Sequence, residues 1–121
     1  MRVVDVAEFY SPTGGGVRTY IDRKFEAAAH IGHELFVIAP GPSDAFEARE
    51  AGGVIQVRAP GLPFDANYHM FWDAAPVHGW LDRLSPDLVE ASSPWRGGWI
   101  VASWAGAAPR AMFMHADPVA S

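Results

Sequence analysis

The apolar positions of this chain fall into two alternating rhythms. Val3, Val4, Val6, Ala7 and Phe9 form a short run of strand character that stops at Ser11-Pro12. Three glycines follow, Gly14 to Gly16, and from Val17 to Ile31 the apolar and small residues (Val17, Tyr20, Ile21, Phe25, Ala28, Ile31) recur at helical spacing. That spacing puts them on one face of an amphipathic helix. Gly32 suits a left-handed stop after it, and His30 and His33 stand where a helix C-terminus favours positive charge. Glu34 to Ala39 then reads as a buried strand ended by Pro40-Gly41-Pro42.

The rhythm repeats downstream. Ser43 to Ala51 reads as a small helix or turn with a poor cap, since Phe46 stands where a capping box needs Glu and Glu47 comes one position late. Val54 to Ala59 is a third strand, and Pro60 to Asn67 is a loop rich in breakers. Tyr68 to Leu84 is helical in its second part, with Val77, Trp80, Leu81 and Leu84 on one face and Pro76 in the first turn. Asp87 to Ala91 gives a fourth strand, Trp95 to Ala107 a helix, and Arg110 to His115 a fifth strand.

Strands alternating with helices imply an α/β fold, a parallel sheet of about five strands with right-handed crossovers and helices on both faces. Ligands of such sheets sit beyond the C-terminal strand ends. That rule gathers Tyr10 to Gly16, Pro60 to Asn67, Ser92 to Arg96 and His115 to Pro118 along one edge. The glycine run has a physical logic there. Glycine allows a tight turn and close approach to a ligand, and the N–H groups opening the next helix attract an anion. A tight βα turn without a ligand would look the same. Two nucleotide fingerprints fail: Gly14 and Gly16 are followed by Thr19 where a dinucleotide loop needs its third glycine, and no lysine follows as a phosphate loop requires.

Composition narrows the classes. With 121 residues, half of them hydrophobic, the chain can build one core. Nine Lys and Arg against fourteen Asp and Glu give a net charge of −5, which speaks against a nucleic-acid footprint or a polybasic membrane patch. Cysteine is absent, so disulfides, thiolate catalysis and zinc-thiolate sites are excluded. Asp5 and Glu8 interrupt the first apolar run, no apolar stretch approaches the ~20 residues of a membrane span, and a cytoplasmic protein is expected. His30 and His33 lack a third metal ligand nearby, and His69 and His78 show no ligand spacing. The last strand ends close to Ser121 with no helix after it. A sheet flank left uncovered there is expected to meet a second copy of the chain or a further domain.

Five motifs, in this order, resemble the N-terminal domain of family 4 retaining glycosyltransferases, enzymes with two facing Rossmann-like domains (the GT-B architecture). They are GGGVRTYI (Gly14 to Ile21), a helix ending at Gly32-His33 before ELFVIAPG, PGLPF (Pro60 to Phe64), SPDLVEASSPW (Ser85 to Trp95), and MHADP (Met114 to Pro118). The resemblance runs the length of the chain but reaches only the front part of such an enzyme. It implies a Rossmann-like three-layer sandwich that moves a sugar from a nucleotide-sugar donor to an acceptor hydroxyl with retention. The paired glutamates and the donor-nucleotide pocket of the family lie in its C-terminal domain, so the 121 residues alone are expected to turn nothing over.

The resemblance also implies roles. Gly15 and Gly16 match the loop beside the sugar diphosphate, with Arg18 beginning the helix behind it. His115 matches the histidine that faces and positions the transferred sugar. Ser92, Ser93, Trp95 and Phe64 would face the acceptor, whereas Asp117 before Pro118 reads as turn chemistry. Glu90 stands where relatives often carry histidine. No Asp-x-Asp motif occurs, and neither a metal nor a cofactor is expected. Of the five tryptophans, most should serve the core or an interface. Two other readings remain open, a non-catalytic α/β binding module and a sugar-nucleotide epimerase of the same architecture.

Overall fold

The first strand, β1 (Arg2–Val6), lies in the middle of the molecule, with Val3 buried on one face and Val4 and Val6 on the other. It pairs in parallel with β2 (Glu34–Gly41) on one side and with β7 (Leu88–Ala91) on the other. The computed structural model describes residues 1–7, 16–62, 65–91 and 96–112. Within them, β2 pairs in parallel with β4 (Gly52–Arg58), and β7 with β8 (Arg110–Met112). Five parallel strands therefore stand in the order β4-β2-β1-β7-β8. Numbered among themselves they read 3-2-1-4-5, the doubly wound order in which the winding reverses between the first and fourth strands. A short antiparallel hairpin of β5 (Gly61–Leu62) and β6 (Asp65–His69) follows β4.

Two cores result from the alternation of side chains along the strands. Val4, Val6, Ile38, Ile55 and Val89 point to one face, where Val77 and Leu81 of α2 (Ala75–Leu84) and Ile100 and Val101 of α3 (Arg96–Ser103) cover them. Val3, Leu35, Val37 and Val54 point to the other, under Ile21 and Phe25 of α1 (Gly16–His30). The layers are α2 and α3, sheet, α1. Each fully buried Ile, Leu or Val contributes about 1.5–3 kcal/mol relative to exposure.

The helix ends follow their sequence signals. Past α1, the Gly32 N–H donates to the Ala29 carbonyl at 3.1 Å and the His33 N–H to Ala28 at 2.9 Å, with Gly32 at φ +77°. This is the paired closure that favours glycine. Pro76 occupies the first turn of α2, and Ser85 closes that helix at φ 48°.

Three segments depart from expectation. Pro60 to Asn67, read as a loop, carries β5 and the first part of β6. Residues 43–51 do not form a helix; Ala45–Arg49 is β3, an antiparallel edge strand on β4 and the sixth strand of the sheet, and only Glu50 and Ala51 form a turn, which leads into β4. The absent cap left a helix with little to favour it, and the neighbour supplies what local propensity lacks. Gly53 leaves room for the Phe46 ring, which lies 2.5 Å from where a Gly53 Cβ would stand. The Asp44 carboxylate accepts the Arg58 N–H at 2.8 Å and fastens the strand's start. Likewise α3 stops at Ser103, short of Ala107. There the Trp104 N–H turns back to the Val101 carbonyl at 3.3 Å, and the Arg110 guanidinium, lying over the Trp104 ring, donates to the Trp104 and Gly106 carbonyls at 2.6 and 2.5 Å and braces the chain on its non-helical path.

Gly52 is held by close packing, since a Cβ there would lie 1.8 Å from the Leu35 carbonyl oxygen of β2. Gly52→Ala is expected to destabilise the fold by about 1–3 kcal/mol. Gly79, on α2 with nothing within 4 Å of its would-be Cβ, is the contrasting position. There, Gly79→Ala should stabilise by about 0.5–1 kcal/mol. Urea denaturation of both variants checks the pair; a harmless Gly52→Ala would contradict the packing argument.

Candidate functional site

Because the five strands are parallel, every segment that follows one leaves from the same edge of the sheet. Residues 8–15 follow β1, 92–95 follow β7, and 113–121 follow β8. With neighbouring strands about 4.8 Å apart, the ends of β4 and β8 are roughly 20 Å apart and the ends of β1 and β7 are adjacent. The winding reversal between β1 and β7 opens a crevice in folds of this order.

Of the sequence-derived site residues, Gly16 is the first residue of α1 and Arg18 lies in its first turn. The Gly16 N–H therefore belongs to the positive end of a helix of fifteen residues that starts beside the end of β1. Gly15, Phe64, Ser92, Ser93, Trp95 and His115 lie outside the described residues, as does the Arg18 side chain. The frame brings the strand ends from which segments 8–15, 92–95 and 113–121 depart to one edge. The 92–95 segment passes directly into α3, whose start at Arg96 is a second helix N-terminus on that edge.

The β5–β6 hairpin stands at the end of β4, and His69 fastens it. The His69 Nδ1 donates to the Ala59 carbonyl at 2.7 Å, and the Met70 N–H donates to Pro60 at 3.3 Å. The carbonyl can only accept, so the proton is on Nδ1.

A buried ionic cluster lies beneath this edge. Asp5 on β1 and Glu90 on β7 are register partners on the face covered by α1. Asp5 is 0% exposed and Glu90 8%. From α1 the Lys24 Nζ reaches down between them, 2.9 Å from the Asp5 Oδ2 and in contact with the Glu90 Oε2. Burial acts most strongly on the Lys24 ammonium and pushes its pKa down. The charge of Asp5, hydrogen bonds to Glu90 and Asp5, and the charge of Glu90 together outweigh that, and the pKa is raised above the ordinary lysine value. Nothing in the sequence pattern singles out this cluster. Only the 3-2-1-4 strand order, which sets β1 against β7, places these groups together.

One other polar group resembles a hydrolytic arrangement and is not one. The Ser103 Oγ is 3.4 Å from the His78 Nε2, but that nitrogen donates to the Ile100 carbonyl at 2.8 Å. It carries its proton toward the helix and cannot take one from Ser103. The nearby Asp82 carboxylate accepts from the Trp104 indole at 2.9 Å. Trp104 is accordingly a core residue, while Trp72 and Trp99 are more than half exposed. Among the described residues, no three His, Asp or Glu side chains are placed to hold a metal ion. No helix among them is long and apolar enough to cross a membrane.

The family model for Glycosyltransferase Family 4 matches residues 14–119. The chain is 39% identical over 93 residues to a GDP-mannose-dependent alpha-(1-6)-phosphatidylinositol dimannoside mannosyltransferase of Mycobacterium tuberculosis strain ATCC 25177 / H37Ra. It matches the protein of the same description from strain CDC 1551 / Oshkosh equally well. The matched region is 76% of this chain and 24% of each relative, so the chain spans about a quarter of the length of the curated relatives it matches.

Lys24→Met would leave Asp5 and Glu90 side by side without the ammonium they share. Removing the shared cation of buried carboxylates leaves their charge uncompensated and should destabilise the fold by about 3–5 kcal/mol. Urea denaturation of Lys24→Met beside the wild type checks it. A loss below about 1 kcal/mol would mean that the ammonium does not hold the pair.

Proposed function

The chain belongs to glycosyltransferase family 4, and on that premise we propose that it is the N-terminal, acceptor-side portion of a GT-B enzyme. That enzyme moves a sugar from a nucleotide-sugar donor to an acceptor hydroxyl with retention. The observation that carries the reading is the start of α1 at Gly16, at the end of β1 where the sheet's winding reverses, inside the matched region 14–119. An anion at that place meets a helix N-terminus behind a glycine run.

In the proposed reaction the bond between the anomeric carbon and the β-phosphate oxygen breaks, with the electron pair going to the phosphate. The acceptor oxygen forms the new bond to that carbon and gives its proton to the departing phosphate oxygen. Negative charge therefore grows on the leaving diphosphate, and the N–H groups at Gly15, Gly16 and the start of α1 are the donors aimed at it. Arg18 adds a cation beside that end of the helix. His115 positions the transferred sugar, and Ser92, Ser93, Trp95 and Phe64 line the acceptor side. The relatives' description names GDP-mannose and a phosphatidylinositol dimannoside, which makes a GDP-activated mannose and a glycosylated lipid the first donor and acceptor to try. The donor-nucleotide pocket belongs to a C-terminal domain, so the 121 residues alone should release no nucleoside diphosphate.

Gly15 and Gly16 separate chemistry from architecture. In the full-length enzyme, Gly15→Val or Gly16→Val places a branched side chain in the space assigned to the diphosphate. Turnover should fall about 10²–10³-fold, as much as if one such donor were lost, because the branched side chain keeps the diphosphate from the N–H groups, while thermal unfolding shifts little. Turnover per folded molecule is measured alongside the melting temperature. A lowered melting point with undiminished turnover would reduce the glycine run to a turn.

A further inference from the structure

The Asp5–Lys24–Glu90 cluster takes no part in the chemistry just described, yet its position relates to all of it. Asp5 lies two residues before Ala7, where the chain enters the 8–15 segment. Lys24 lies two turns into α1 from Gly16, where that segment ends. Glu90 lies one residue before Ala91, where the chain enters the 92–95 segment. One ammonium thus fastens the strand leading into the glycine loop, the helix leading out of it, and the strand leading into the acceptor-side loop.

Stability alone is a weak reason for such a cluster. Apolar packing stabilises a buried site at least as well as a buried ion pair does, because desolvating the charges offsets most of their attraction. Around the cluster the interior is apolar: Val3, Leu35 and Val37 on the sheet, Ile21 and Phe25 on the helix. What a charge cluster adds is direction. Apolar contacts let a helix slide by tenths of an ångström, whereas an ammonium held between carboxylates on two strands fixes α1 along its axis and across the sheet.

We infer that Lys24, held by Asp5 and Glu90, is a positioning residue that sets the N-terminus of α1 and the end of β7 in register with each other. This rests on the glycosyl-transfer reading above. The ammonium acts through the seating of α1 and β7, so the helix start and the strand end keep a fixed separation. The demand is sharpest in the transition state, where both sides must meet the reacting carbon at once, and the turnover number should therefore carry the effect.

The test uses the full-length enzyme with GDP-mannose as donor, reading GDP release, the KM for the donor, and the melting temperature. The first variant removes all three charges with near-isosteric side chains: Asp5→Asn/Lys24→Met/Glu90→Gln. It leaves no buried unshared carboxylate, so it should fold. A kcat lowered about 100-fold, the cost of a misplacement on the order of 1 Å, with a KM within about threefold of wild type, is the expected result. The second variant, Glu90→Gln, keeps the Lys24–Asp5 pair and loosens only the tie to β7. It should lose about tenfold in kcat with little change in melting temperature. A folded triple variant, or a folded Glu90→Gln, that turns over within about threefold of wild type would overturn the inference and leave the cluster a matter of stability. Absence of transfer by the wild-type enzyme, from GDP-mannose and from other nucleotide-sugars, would instead overturn the functional reading on which the inference rests.

Discussion

The placement of β1 between β2 and β7 is the constraint on which the rest of the molecule depends. A central parallel strand must be covered on both faces, which accounts for α1 on one side and for α2 and α3 on the other. Parallel pairing on both flanks sends every following segment to one edge. It also brings Asp5 against Glu90, two residues far apart in the chain, and so calls for a cation from the helix above. Fold, site edge and ionic cluster are three results of one strand's neighbours.

Most of this frame was legible because it is written in periodicity. The valines of β1, the run from Leu35 to Ala39, and the helical spacing from Ile21 to Ala28 each have one burial pattern that satisfies them. Gly32 and Pro76 marked helix ends for reasons local to the backbone. Residues 45–49 were not legible, because their strand character comes from β4 and from the space above Gly53, not from their own sequence. The end of α3 escaped for a related reason: a side chain seven residues past it, Arg110, braces the Trp104 and Gly106 carbonyls on a non-helical path.

What was legible of the candidate site is the edge its segments leave from. Strand order explains why the chain enters segments 8–15, 92–95 and 113–121 from one edge, and Gly16 opens α1 directly after the glycine run. The ionic cluster was illegible. In sequence Asp5 only interrupts an apolar run, Lys24 is one charged residue on an amphipathic helix, and Glu90 is a polar residue in a short strand. Their meaning lies in a cross-strand register that no linear pattern records. Charged residues buried in pairs from distant segments are the part of a protein that periodicity reads worst, since each looks like a solvated position by itself.

The bond from His69 to the Ala59 carbonyl has a different kind of consequence. An imidazole anchored through Nδ1–H has its tautomer and the plane of its ring set by the carbonyl it serves. The clasp that ties the β5–β6 hairpin to the end of β4 therefore fixes a ring as well as a chain path, and whatever meets this corner meets an imidazole of set orientation.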